Sequence, residues 1–256
     1  MANLEIHQFP CLQDNYGVLI RDADTGDVAS IDAATAKDVQ AALTEKGWTL
    51  THILTTHHHG DHTDGNLELK QATGCKIIGP SHEADKIPGI DQQVGDGETF
   101  KWGSFSVNVH HCPGHTNGHI IFHMPEASVA FVGDVLFPMG CGRVFEGSMD
   151  DMHAAVSKVA ALPDNTVLYA GHEYTVANAE FAIRMEPGNA QLQARLEEVK
   201  SLRAAGKPTL PTRVDVEKAT NPFIRPHSTE IRQTVGLPDA TDAEVFAEVR
   251  ERKNRG

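Results

Sequence analysis

Short apolar runs separated by polar punctuation dominate the chain up to about residue 174. Alternation predicts strands over 3–9 and 15–22, the second bounded by turn-like Gln13-Asp14 and by Asp22-Ala23-Asp24-Thr25-Gly26-Asp27. That second cluster predicts a hairpin turn into a strand at 28–32. Val39, Ala42 and Leu43 fall at helical spacing and predict a helix from Thr35 to Lys46, with Gly47 as its stop. Residues 51–55 read as a short buried strand, 66–72 as a helix closed by Gly74, and 76–79 as another strand. From 97 to 132 the pattern is β-rich, with candidates at 99–102, 105–109, 120–122 and 129–132. A helix near 149–161 and a strand at 167–170 follow. Both halves run strands first, then helix and strand, which predicts two similar sheets packed together with helices outside.

Beyond about residue 174 the alternation gives way to helical segments at 176–185, 191–205, 214–219, 229–235 and 241–252. Pro187-Gly188, Gly206-Lys207-Pro208 and Gly236-Leu237-Pro238 punctuate them. The expected division is a mixed α+β domain over 1–174 and a small helical domain over 175–256.

Composition narrows the class. The chain has 256 residues, 40% hydrophobic and 22% charged, which is ordinary for a globular protein. Its formal net charge of −13 disfavours nonspecific binding to nucleic acid or to an anionic membrane. No apolar run approaches the roughly 18 residues that a spanning helix needs. The N-terminal residues show no basic segment followed by a long apolar run, so the expected address is the cytosol. Four cysteines are present, with no CxxC pair and no zinc-finger spacing, and are expected as buried thiols.

The densest chemistry lies in Thr55-Thr56-His57-His58-His59-Gly60-Asp61-His62, just past the apolar Ile53-Leu54. Imidazole and carboxylate together suit zinc, iron or manganese. On an extended backbone His57 and His59 point one way and His58 the other. Asp61 and His62 follow a glycine turn and are expected to face a second position. Three further candidates sit just past strands and beside glycine: His115, Asp134 and His172. Seven ligands allow two sites, His57, His59 and His115 for one ion and Asp61, His62 and His172 for the other, with Asp134 able to bridge both. The remaining histidines, His58 among them, are expected to be non-ligands.

This series, HxHxDH, then a later His, an Asp and a final His, resembles the metallo-β-lactamase superfamily. Within it the chain is most similar to the glyoxalase II, or hydroxyacylglutathione hydrolase, family. The similarity is carried by Leu12-Gln13-Asp14-Asn15-Tyr16, Thr56–His62, Cys112-Pro113-Gly114-His115-Thr116, Gly133-Asp134-Val135-Leu136-Phe137 with Gly140-Cys141-Gly142-Arg143, and Gly171-His172-Glu173-Tyr174-Thr175. Asn221-Pro222-Phe223 and Arg250-Glu251-Arg252-Lys253 extend it over nearly the whole chain. The resemblance implies an αββα sandwich with a C-terminal helical domain and two divalent ions, with zinc first and iron or manganese as alternatives. It implies a thioesterase acting on S-(2-hydroxyacyl)glutathione, S-D-lactoylglutathione above all, in methylglyoxal degradation. Asp61 would also orient the nucleophile, and Asp134 would bridge the ions. It further implies Arg143, Tyr174, Arg250 and Lys253 as the groups that hold glutathione. Two positions depart from the family pattern: Phe145 where some members have tyrosine, and Asn254 where an aspartate often follows the lysine. The expected protein is a monomer whose partner is a small glutathione thioester, with neither nucleic acid nor membrane. The alternatives are a single-iron glutathione persulfide dioxygenase of the same superfamily, an RNA-processing nuclease or phosphodiesterase, which the acidic balance disfavours, and a noncatalytic metal-binding module.

Overall fold

The computed structural model describes residues 3–256, which form two compact units. One comprises the described residues through His111 together with Thr116–Gly133. The other comprises Cys112–His115 and Asp134–Gly256.

The first unit carries a sheet whose strands follow chain order: β1 (Leu4–Cys11), β2 (Asn15–Asp22), β3 (Val28–Ile31), β4 (His52–Leu54), β5 (Lys76–Pro80) and β6 (Gln92–Val94). The first three strands form an antiparallel meander, and β3 to β6 are parallel. Helix α1 (Ala36–Lys46) makes the crossover from β3 to β4. Thr35 caps it by accepting the Asp38 N–H, and Gly47 ends it in the left-handed region at φ 66°. The one-turn α2 (Gly60–Thr63) and α3 (Asn66–Thr73) link β4 to β5. Val39, Ala42 and Leu43 of α1 and Leu69 of α3 pack with Leu19, Val28, Ile53 and Ile77 of the sheet. Strands β3 and β4 pair in register, Ile31 opposite Leu54, so the residues that follow each strand emerge side by side. A second group of strands in this unit is antiparallel: β7 (Thr99–Trp102), β8 (Phe105–His111), β9 (Ile120–Met124) and β10 (Val129–Gly133). Every residue of β9 and β10 is buried, which is why both read as continuous apolar runs.

The second unit begins with a hairpin of two-residue strands, β11 (Leu136–Phe137) and β12 (Gly140–Cys141). Helix α4 (Met149–Ala160) follows, with a capping box between Ser148 and Asp151. Strand β13 (Val167–Ala170) pairs antiparallel with β14 (Thr212–Arg213). The helices are α5 (Thr175–Met185), α6 (Ala190–Ala204), α7 (Val214–Thr220), α8 (Thr229–Val235) and α9 (Asp242–Arg255). Met139, Ala179, Ala182, Leu192 and Val199 form one core between the hairpin, α5 and α6. Phe181, Phe223 and Phe246 form a chain of ring contacts from α5 to α9.

Several elements depart from the expectation, β14 among them, a strand where only helices were expected. Strand β6 and the β11–β12 hairpin are present where no strand was expected, and Asp61 and His62 lie in a helical turn rather than a glycine turn. All four cysteines are buried, and burial pushes the Cys11 thiol up to about 12. Among the described residues, no helix is long and apolar enough to cross a membrane.

Candidate metal centre

In the first unit the ligand candidates begin where β4 ends. Asp32, just past β3, adopts φ 57°, a conformation that Asp tolerates better than most residues, and its carboxylate organises the neighbouring chain. Its Oδ1 accepts the Thr56 N–H at 2.7 Å, and its Oδ2 accepts the Thr56 hydroxyl at 2.9 Å. The same Oδ2 lies 2.8 Å from His62 Nδ1. A carboxylate only accepts, so His62 Nδ1 carries the proton and Nε2 keeps its lone pair. Thr56 gives its hydroxyl proton to Asp32 and accepts from His57 Nδ1 at 3.0 Å, which leaves the His57 Nε2 lone pair as well. His57 Nε2 in turn lies 3.1 Å from His59 Nδ1. Asn15, at the start of β2, donates to Asp61 Oδ2 at 3.1 Å and fixes that carboxylate. His58 turns to Glu83, with Nδ1 3.2 Å from Oε2.

The second unit presents the other three candidates. His115 donates Nδ1–H to the Arg143 carbonyl at 2.9 Å, so its Nε2 is the unprotonated nitrogen. That Nε2 lies 3.3 Å from Asp134 Oδ2, and His172 Nε2 lies 3.3 Å from the same oxygen. All three residues are buried. Asp134 follows Gly133, which sits at φ 48°. A Cβ there would lie 2.6 Å from Thr56 Oγ1 and 2.7 Å from His119 Nε2, so the turn admits only glycine.

The donor set fits a divalent cation. His57 Nε2 lies against His59 Nδ1, and the Nε2 atoms of His115 and His172 both approach one oxygen of Asp134, while Nδ1 of His57 and of His115 are engaged by Thr56 and the Arg143 carbonyl. Imidazole nitrogens and a carboxylate oxygen at this spacing are the ligand types that zinc, iron and manganese take.

The cationic candidates also lie in the second unit. Arg143 is exposed in the turn after β12. Arg250 of α9 is 3% exposed; its Nη1 donates to the Cys141 carbonyl at 2.8 Å, and its guanidinium lies over the Phe223 ring. No carboxylate among the described residues pairs with it. Lys253, one turn on, donates to the Ala177 carbonyl at 3.0 Å. Its desolvation, and then the charges of Arg250 and Arg184, push the ammonium down to about 8. Tyr174 stacks on the His172 ring at 4.8 Å between centroids and is 38% exposed. Phe145 is 61% exposed, its ring 5.2 Å from that of His115.

Asp32, Asn15 and Glu83 carry roles that the sequence did not announce. The available signal for Asp32 was its place at the end of a buried strand. Asn15 offered only its place in the Asp14-Asn15-Tyr16 run.

Comparison with known proteins agrees with this chemistry. The metallo-β-lactamase superfamily model matches residues 15–172, and the hydroxyacylglutathione hydrolase C-terminus model matches 173–256. A relative from Rhizobium meliloti (strain 1021), named hydroxyacylglutathione hydrolase, is 50% identical over 99% of both chains. Among solved structures, ETHE1 from Myxococcus xanthus is 24% identical, covers 98% of this chain and 91% of its own, and superposes with a TM-score of 0.69. A di-iron-bound form of TTHA1623 is 20% identical, covers 86% and 99%, and gives 0.61. The fold is thus the αββα sandwich of the metallo-β-lactamase type with a C-terminal helical segment, and its histidine and aspartate donors suit divalent metal. The chain belongs to the hydroxyacylglutathione hydrolase family of the metallo-β-lactamase superfamily.

Proposed function

We infer that this chain hydrolyses S-(2-hydroxyacyl)glutathione thioesters, S-D-lactoylglutathione first among them, to glutathione and a 2-hydroxy acid. Two divalent ions, zinc first, would be held by His57, His59 and His115 and by Asp61, His62 and His172, with Asp134 able to serve both. When bound, such a pair lowers the pKa of a shared water toward neutrality and polarises the thioester carbonyl. The chain's own residues supply orientation. Asp32 fixes the tautomer of His62 directly and that of His57 through Thr56. Asn15 holds Asp61, whose carboxylate orients the attacking water. The departing glutathione thiolate has a pKa near 8.5–9, by analogy with cysteine, and leaves without a protonating side chain.

Arg143, Tyr174, Arg250 and Lys253 receive the glutathione moiety, and residues 175–256 serve as the substrate-binding segment. Arg250 is the strongest support among them. A buried guanidinium without a carboxylate is costly to desolvate, and a glutathione carboxylate supplies the missing partner. The acidic balance and the reduced thiols suit a cytosolic monomer.

The observation that carries the two-ion reading is the support given to Asp61 and His62. Asn15 orients one and Asp32 the other, whereas a single-iron persulfide dioxygenase would need neither as a ligand. The relatives at about half identity carry the hydrolase name, and ETHE1 is far more distant. Hydrolysis of S-D-lactoylglutathione by the purified protein, with and without chelator, tests the reading. We expect turnover that chelator abolishes and about two metal ions per chain. One iron per chain with oxygen uptake on glutathione persulfide would overturn it.

A further inference from the structure

Glu83 is a buried carboxylate, 2% exposed, at a break in the short 3-10 segment Ser81–Lys86, where it departs from helical geometry (φ −140°, ψ 29°). Burying a carboxylate is costly unless its oxygens are satisfied. No lysine or arginine among the described residues pairs with it. Its Oε1 accepts the His58 N–H at 2.8 Å and the Thr116 hydroxyl at 3.2 Å. Its Oε2 accepts the Gly118 N–H at 2.8 Å and lies 3.2 Å from His58 Nδ1. The chain makes room for it: a Cβ on Gly118 would lie 2.6 Å from both Cγ and Oε2 of Glu83. All these groups belong to the first unit.

The contacts are not spread at random. The His58 N–H lies between His57 and His59. Thr116 directly follows His115. One carboxylate therefore grips the main chain at the centre of one ligand pair, the hydroxyl of the residue immediately after a third ligand, and the main chain two residues further on. The His58 side chain closes on the same group. Such a grip sets which way His57 and His59 face, because the peptide between them cannot rotate without losing a charge-assisted hydrogen bond.

We propose that Glu83 is a positioning residue for the metal ligands, clamping the His58 backbone to the Thr116–Gly118 segment; this rests on the two-ion reading above. A glutamine in its place cannot do the same. Its oxygen satisfies either the His58 N–H or the Gly118 N–H, and its amide then sets a donor against the other. One main-chain tether is lost in either orientation.

The test uses the zinc-loaded full chain as wild type, Glu83→Gln and Thr116→Val, the last removing one donor at nearly constant shape. Zinc release is followed against a graded chelator, alongside melting of the metal-free proteins and steady-state kinetics. We expect Glu83→Gln to release zinc at a chelator activity lower by about tenfold or more. Its kcat should fall while KM stays within about twofold, because glutathione is bound by other residues. Thr116→Val should shift release in the same direction by less, with its metal-free melting lowered by about 2–6 °C for one lost buried donor. Zinc release identical to wild type in both variants, or a loss confined to KM, would overturn the clamp. If Glu83→Gln does not fold, Thr116→Val alone decides, and unchanged release there overturns it. A wild-type chain that binds no zinc, iron or manganese would instead defeat the metal reading, and the clamp with it.

Discussion

Lys253 shows how a single side chain can carry a pH dependence. Desolvation is the largest cause of its lowered pKa, followed by the charges of Arg250 and Arg184, and the result is about 8. The ammonium is protonated below that value and loses its charge as pH rises through it. If Lys253 receives the glutathione moiety as proposed, an anionic substrate loses one of its cations over the same interval, and kcat/KM should fall at alkaline pH. A Lys253→Arg chain keeps its charge throughout, since guanidinium titrates above pH 12. The ratio of wild-type to Lys253→Arg kcat/KM should therefore fall a few-fold between about pH 7 and pH 9. A ratio that is flat across the range would remove Lys253 from the glutathione site. Legibility at this scale was uneven. The HxHxDH run stood out because five ligand-type residues in six positions have little structural use. Asp32 and Glu83 did not, because a lone acidic residue past a strand or in a short turn looks the same in sequence whether it caps, is solvated, or orients a histidine.

Among the elements, the β11–β12 hairpin is held less by its own strands than by the helices that grip its backbone. Asn221 donates to the Phe137 and Gly140 carbonyls at 3.1 and 2.9 Å, and Glu217 accepts the Met139 N–H at 2.8 Å. Asn178 donates to the Pro138 carbonyl at 3.2 Å, and Arg250 to that of Cys141. The turn needs this, since Met139 sits at φ 55°. Asn221→Ala strips two buried carbonyls of their donor, at a cost of about 2–4 kcal/mol. The melting temperature should drop by roughly 5–15 °C, read by calorimetry on the metal-loaded chain. A shift under about 2 °C would show that the hairpin holds itself. Two-residue strands give alternation nothing to act on, which is why this hairpin escaped the sequence. Strand β6 escaped for a related reason: Gln92 and Gln93 are exposed and only Val94 is buried. The longer elements were legible because burial imposed a period on them, as in α1, or left none, as in β9 and β10.

For the whole chain, the candidate ligands are far apart in sequence. Four lie between residues 57 and 62, and the others at 115, 134 and 172. Ions that bind this set only when it is assembled stabilise the folded chain by mass action, at about 4 kcal/mol when free metal is a thousandfold above its dissociation constant. For a chain of this size each kcal/mol moves the melting temperature by about 2–4 °C, so zinc loading should raise it by roughly 10 °C over the chelated protein. The size of the shift should grow with metal concentration, which distinguishes linkage from a fixed structural difference between two preparations. The same titration should restore thioester hydrolysis in step with the melting shift, since one set of ligands accounts for both. Chelated and zinc-loaded chains that melt together would mean that the seven residues do not form a site the fold depends on. Recovery of activity without a shift would mean that the unfolded chain binds the metal as tightly as the folded one.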